Sequence, residues 1–377
     1  MVYLKGAPHL GLAITVFEPP RKKTKATSST RSDSAENAEP IQHFADAARG
    51  LRLYRGDALQ MLKQTRGEMF DVVFADPPCF LSNGGMTCQS GKMVSVDKGA
   101  WDKAQTFQEI HAFNLEWLRE CKRILKPNGT IWVSGTNHNI YSVGFALQTL
   151  EFKVLNDIAW YKINPPPNLA CRYFTHATET ILWARREPKG KHLFNYAEMK
   201  RDNNGKQMQS LWSITPPALR EKKFGKHPTQ KPEALLDRIV RASSNAGGMI
   251  LDPFCGSGTT GVVCARLGRR FVGFDISEEY LDLATRRLMN EVEQKQFVWS
   301  LYKSSRHRVV FKETWADVVF HAMKLLGGKA HLRDINRVLE KNPRTQTNPT
   351  WPCTVRRVMR QSAHFKPLGR GFYALQT

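Results

Sequence analysis

The 377-residue chain contains no apolar run long enough to span a bilayer, and its N-terminus lacks a signal peptide's apolar core and small-residue cleavage site. A membrane or secreted protein is therefore not expected. The seven cysteines include no CxxC pair and no Cys/His set at zinc spacing, which fits a reducing compartment and gives no metal site. Acidic residues are scarce. Only 34 Asp and Glu stand against 56 Lys and Arg, a formal charge of +22. An excess of that size is the electrostatic footprint of a nucleic-acid partner, since membrane surfaces and acidic proteins are less common partners.

Three regions are expected. Residues 1–45 read as a flexible arm: the stretch from Glu18 to Gln42 is rich in Pro, Ser, Thr, Lys and Ala, with a basic run from Arg21 to Lys25. It holds too little apolar surface to offset the entropy of ordering it. Residues 46–300 read as an α/β domain. β-prone runs at Phe70 to Ala75, Thr130 to Ser134, Val154 to Trp160, Thr180 to Ala184, Met249 to Asp252 and Phe271 to Asp275 alternate with helical stretches such as Phe107 to Leu125 and Pro232 to Ala242. That alternation predicts a mostly parallel sheet covered on both faces, with ligands beyond the carboxyl ends of its strands. In residues 305–377, apolar residues at helical spacing and a hairpin with a Gly-Arg-Gly turn predict a small winged-helix-like module. Arg356, Arg357 and Arg360 would project from its third helix to bind DNA; a helical cap with a solvated basic face fits the same pattern.

Met249 to Asp252 is followed by Pro253, Phe254, Cys255, Gly256, Ser257, Gly258, Thr259, Thr260 and Gly261. The core is G-x-G-x-x-G, and Asp275 closes the next strand. Glycines let a ligand approach the backbone, and an acid at the second strand's end can accept both ribose hydroxyls of an adenosine. A dinucleotide and S-adenosylmethionine both fit this pattern. Asp252, just ahead of the loop, would repel a pyrophosphate and attract a cationic amino group. Lys231, in the run His227, Pro228, Thr229, Gln230, Lys231, Pro232, could pair with a carboxylate or be an exposed lysine before a helix. These two residues favour S-adenosylmethionine.

Asp76, Pro77, Pro78, Cys79 and Phe80 follow the buried-strand run from Phe70 to Ala75. A base's exocyclic amine is a poor nucleophile because its lone pair is delocalised into the ring. The Asp76 carboxylate and the Pro77 carbonyl could accept both amine hydrogens, and Pro-Pro fixes that carbonyl without a competing N–H. Catalysis would then be positioning and hydrogen bonding, on a base flipped out of its stack.

With the catalytic loop ahead of the cofactor loop, the chain from about Leu51 to Leu288 resembles the β-class amino-methyltransferases of DNA, in their adenine-N6 branch. The segments Phe80 to Gly85, Val94 to Asp102, Arg172 to Thr180 and His227 to Pro232 carry the same likeness. It is greatest to the adenine methyltransferases of GATC restriction systems, then to GANTC-type and cell-cycle-regulated enzymes. The resemblance implies a Rossmann-like, S-adenosylmethionine-dependent methyltransferase fold and methylation of adenine N6 in a short sequence, GATC first. It places Asp57 and Ala58 beside the cofactor adenine, with Thr229, Gln230 and Lys231 also at the cofactor. Residues 192–226 would read the target, with Trp101, Arg172 and Tyr173 near the DNA. Implied partners are duplex DNA (single-stranded DNA as a second substrate), a second copy of the chain, and a cognate restriction endonuclease, in a bacterial-type cytoplasm at the nucleoid.

The family has an aromatic residue, normally tyrosine, where this chain has Cys79. Cytosine carbon-5 enzymes use a cysteine nucleophile, but they place the cofactor loop first and need a separate acid in a Glu-Asn-Val segment, which the sequence does not contain. Cys79 therefore reads as a lost stacking face, for which Phe80, Tyr173 or Trp101 could substitute. Stacking is worth about 1–3 kcal/mol per base, so a catalytically weakened DNA-binding relic is one alternative. Cytosine-N4 methylation is another, although Asp76 stands where N4 enzymes usually carry serine. Cys255 reads as a small residue facing the sheet, and His138 and His176 as structural.

Overall fold

The computed structural model describes residues 15–18, 40–78, 80, 86–89, 92–95, 106–165, 167–168, 171–304, 315–340, 342, 345, 350–362 and 364–376. Cys79 and Trp101 lie outside them, as does most of the expected arm. Two compact units divide at Glu293 and Gln294, somewhat before the expected boundary near residue 300.

In the first unit the elements run β1 (Ile41–Asp46), β2 (Leu51–Arg55), α1 (Ala58–Gln64), β3 (Phe70–Ala75), β4 (Met86–Gln89), β5 (Lys92–Ser95), α2 (Phe107–Ile124), β6 (Leu125–Gly135), α3 (Ile140–Thr149), β7 (Lys153–Tyr161), β8 (Thr178–Arg185), α4 (Tyr196–Asp202), β9 (Leu211–Ser213), α5 (Glu233–Ser243), β10 (Met249–Asp252), α6 (Thr259–Leu267), β11 (Arg270–Asp275) and the first part of α7 (Glu278–Ser304). Nine strands form one sheet in the order β1-β2-β11-β10-β3-β6-β8-β7-β9. The five strands from β2 to β6 in that order are mutually parallel. Their continuous runs of Val, Ile, Leu and Phe suit strands buried on both faces. β1 and β8 are antiparallel to their neighbours.

Side chains alternate across the sheet, so Val73 and Ala75 of β3 join Met61, Leu62, Trp117, Leu118, Val143 and Leu147 from α1, α2 and α3. Val72 and Phe74 join Leu236, Ile239, Val262, Val263, Leu281 and Leu288 from α5, α6 and α7 on the other face. The result is three layers, helices on either side of the sheet. α2 begins at a capping box in which the Thr106 hydroxyl accepts the Glu109 N–H and the Glu109 carboxylate accepts the Thr106 N–H.

One expectation needs correction. The arm does not run unbroken to residue 45: Ile41–Asp46 pairs with β2, where Phe44 packs on the core, and Phe17 bridges to Thr65 with Val16 buried. A few apolar residues amid polar sequence were enough to order these pieces.

The second unit contains α8 (Trp315–Leu325), β12 (Lys329–His331), α9 (Leu332–Leu339), α10 (Trp351–Gln361), β13 (Phe365–Gly369) and β14 (Phe372–Leu375). β14 lies between β12 and β13. The three helices and the hairpin expected here are present; β12, too short to read from sequence, is the addition. Val319, Met323, Ile335, Val355, Met359 and Phe365 form a core belonging to this unit alone.

Candidate active site

From β3 the chain crosses to β6 on one side, and from β10 it crosses to β11 on the other. β3 and β10 are neighbours, so their carboxyl ends form the switch point of the sheet, where open α/β folds leave a crevice. The catalytic loop leaves β3 there, and the glycine loop leaves β10 beside it.

Asp76 is the first residue after β3. Its Oδ1 accepts a hydrogen bond from Ser134 Oγ at 2.5 Å, and its Oδ2 accepts one from Lys231 Nζ at 2.5 Å. A carboxylate has about four lone-pair sites, so two remain. Lys231 also lies 3.6 Å from Glu179 Oε2, and Glu179 Oε1 pairs with Lys162. Burial pushes the Glu179 carboxyl up, but the Lys231 and Lys162 ammoniums outweigh it and hold the group below its ordinary range. Acid and base thus alternate from the crevice outward.

Downstream, the Pro78 carbonyl accepts from Asn139 Nδ2 at 3.0 Å. Asn114 Nδ2 donates to Asn139 Oδ1 at 2.6 Å, and Trp117 Nε1 donates to Asn114 Oδ1 at 3.0 Å. Both asparagines are buried. Each lost partner in such a chain costs about 1–3 kcal/mol, which pins the Pro-Pro backbone. Phe80 follows with φ of 53°, a left-handed conformation costing a non-glycine residue about 1–3 kcal/mol.

Across the switch point, the Gly256 N–H donates to Asp275 Oδ2 at 2.8 Å and the Ser277 N–H to Asp275 Oδ1 at 2.8 Å. Burial outweighs these bonds and raises the Asp275 carboxyl above its ordinary value. Gly256 has φ of 47°, and a Cβ there would stand 2.9 Å from His227 Nε2, so the His227 to Pro232 run lies directly over this loop. Burial first, then the charges of Lys231 and Arg287, push His227 down to about 4, which keeps the ring neutral at pH 7. Gly56 donates its N–H to the Asp275 carbonyl at 3.0 Å, bringing Asp57 and Ala58 to the same end. Asp57 is exposed and caps α1 by accepting the Gln60 N–H at 3.0 Å.

These loops carry the motifs of a known family. A model described as DNA methylase matches residues 70–286, more than half of the chain. The chain belongs to the DNA methylase family. It is 57% identical over 242 residues to Type II methyltransferase M2.DpnII of Streptococcus pneumoniae, covering 64% of this chain and 90% of that protein. To Type II methyltransferase M2.MboI of Moraxella bovis it is 44% identical over 260 residues, covering 67% and 95%. The solved PvuII DNA methyltransferase, named as cytosine-N4-specific, overlaps 63% of this chain and 86% of its own at 20% identity and a TM-score of 0.51, a likeness of fold. The present chain is thus a DNA methyltransferase of Rossmann-like fold, with S-adenosylmethionine as methyl donor.

In this methylase the crevice residues suit that donor. Asp275 stands at the crevice as an acceptor for hydroxyls, and Gln230 Oε1 is buried with no partner among the described residues. Several of the expected cofactor contacts also build the loop. Asp252 is 3% exposed, accepts from the Phe254 N–H and Thr260 Oγ1, and is pushed up to about 7 by burial. It anchors the loop from beneath rather than offering a free carboxylate. Thr259 accepts from Arg287, and Gly258, with φ of 70°, lets Ala284 of α7 approach so closely that a Cβ would stand 2.6 Å away. Lys231, expected at the methionine carboxylate, is engaged with Asp76 and Glu179.

The expected substitutes for the missing stacking face differ in exposure. Phe80 is 7% exposed and packs edge-on against Phe113, which with Phe254 and Trp117 forms an aromatic wall between the two loops. Its ring is not open to a base. Tyr173 and Phe174 are 61% and 96% exposed in the connection from β7 to β8. β8 runs antiparallel to β6, so this connection, with Arg172, lies at the catalytic end of the sheet. β9 runs parallel to β7, so residues 214–226 leave it at that same end, whereas 192–210 enter from the opposite one. There Asn195 bonds to Arg241 and Ser244 near the start of β10, and Met199 is buried. Apolar residues at Met199, Trp212 and Ile214 tie α4 and β9 to the core.

Sequence reasoning gave no role to Ser134, Glu179, Asn139 or Arg287. The first three sit at strand ends or helix starts on the crevice side, where the switch-point rule directs attention. Arg287 has no local signal; it is an arginine in mid-helix, 4% exposed, donating to Ser257 O, Ser257 Oγ and Thr259 Oγ1 at 2.7, 3.0 and 2.9 Å.

Proposed function

We propose that the enzyme methylates N6 of adenine within a short duplex sequence, with GATC as the first candidate site. The observation that carries this reading is Asp76 at the end of β3, braced by Ser134 and Lys231, with Pro77 following. The Asp76 carboxylate and the Pro77 carbonyl would accept the two amine hydrogens, leaving the nitrogen lone pair to attack. S-adenosylmethionine supplies an electrophilic methyl group on a sulfonium sulfur. The new N–C bond forms as the S–C bond breaks, the electron pair stays on sulfur, and the surplus amine proton passes to water. Asp275, Asp57 and Gln230 would hold the donor. Tyr173 and Phe174 would stack on the flipped base in place of the family's tyrosine. Residues 214–226, with Arg220, Lys223 and Lys226 exposed, would read or grip the target.

The Type II naming of the relatives supports a restriction–modification setting, with a cognate endonuclease, a cytoplasmic location and a second copy of the chain as further proposals. No helix among the described residues is long and apolar enough to cross a membrane. The site choice is tested with two duplexes of equal composition, one containing GATC and one with those bases permuted, and a methyl-labelled donor. Label is expected in the GATC duplex alone. Equal labelling of both would reject the site, and labelling of neither would reject the activity on duplex DNA.

A further inference from the structure

The family match ends at residue 286, well before the second unit's own core, so methyl transfer does not account for that unit. From Trp315 to Gln376 the sequence holds eleven Lys and Arg against three Asp and Glu. The charge is concentrated on α10. Val355 and Met359 point into the core, whereas Arg356, Arg357 and Arg360 are exposed on the opposite face. Offsets of one, three and four residues put the three guanidiniums on neighbouring positions of a single helix face. With Cys353 and Gln361 they line a shallow depression of about 270 Å³. Among the described residues none of the three is ion-paired.

The hairpin adds to this. Gly369, Arg370 and Gly371 all have positive φ, at 85°, 46° and 80°, so an arginine is held in a left-handed conformation at the hairpin tip. Lys366 is exposed on β13. A membrane surface would need the apolar face of α10, and that face is buried. Unpaired guanidiniums, with their planar forks of N–H donors, suit phosphate oxygens, and a single helix fits the roughly 12 Å width of a major groove.

We infer that the second unit is a separate DNA-binding module, whose basic α10 and hairpin tip grip duplex phosphates independently of the methylated sequence. The inference rests on the function proposed above only in taking duplex DNA as the partner. The test uses the full chain with Arg356→Gln, Arg357→Gln and Arg360→Gln combined, on a duplex several turns long that lacks GATC, titrated with salt. Each phosphate contact contributes about 0.9 to the slope of log affinity against log salt. The slope is expected to fall by about two to three and affinity on the order of tenfold or more, while turnover at saturating GATC duplex is unchanged. The matching Arg→Lys triple variant, which keeps the charge, is expected to retain the slope. An unchanged slope and affinity in the glutamine variant would overturn the inference, as would a loss confined to single-stranded RNA or an acidic peptide. A parent that binds duplex through these arginines but methylates nothing would uphold the module while rejecting the methylation reading.

Discussion

Asp76→Ala is expected to lower methyl transfer by on the order of a thousandfold while S-adenosylmethionine still binds. Removing one preorganised hydrogen-bonding group from a site of developing charge typically costs a factor of about 10² to 10³. In the proposed reaction the carboxylate would both accept an amine hydrogen and stabilise the positive charge that builds on nitrogen. The residues proposed to hold the donor lie after other strands: Asp275 ends β11 and Asp57 follows β2. Single-turnover methylation and calorimetric titration with the donor check the two halves separately. Asp76→Asn keeps the shape and one carbonyl oxygen, and should be impaired nearly as much, because an amide carries no charge. Turnover within a few-fold of the parent in either variant would remove Asp76 from the chemistry.

Arg287→Met carries the largest expected effect on stability. The buried guanidinium donates three hydrogen bonds to the glycine loop and lies 3.3 Å from Glu233. Removing one partner of a buried ion pair costs about 3–5 kcal/mol because the other charge and its acceptors are stranded. Glu233 keeps Arg266 at 2.7 Å, so the loss should lie at the lower end of that range. For a domain of this size, that corresponds to a fall of roughly 5 °C in the unfolding temperature. The Ser257 carbonyl and the Thr259 hydroxyl lose their donor, so the loop between them should loosen and donor affinity should fall. Thermal denaturation and donor titration read both effects. A variant as stable as the parent with unchanged affinity would mean that the loop holds its shape without Arg287.

Both residues bear on how much the sequence discloses. The central strands were legible because they are short, continuous apolar runs, and the two motif loops because Asp-Pro-Pro and the glycine cluster lie contiguously in the chain. What holds those loops was not legible. Ser134 and Lys231 reach Asp76 from positions 58 and 155 residues away, and nothing near either residue marks the pairing. The glycine loop was legible in a different way. Asp252, Gly258 and Thr259 read as ligand contacts, because a loop that binds and a loop that must be built call for the same residue types. Burial separated the two roles: Asp252 and Thr259 face inward, and Asp275 remains at the crevice. In segment 192–226 the elements were hidden by composition, since polar residues around Met199, Trp212 and Ile214 concealed an edge strand and its helix.

The most direct test is mass spectrometry of nucleosides from mixed-sequence duplex DNA incubated with the protein and S-adenosylmethionine. N6-methyladenine is expected as the sole methylated product, formed without a covalent enzyme–DNA adduct. 4-Methylcytosine would keep the amine chemistry at Asp76 but contradict the choice of base. 5-Methylcytosine, which requires a thiolate attack that Cys79 alone in this loop could make, would contradict the mechanism itself.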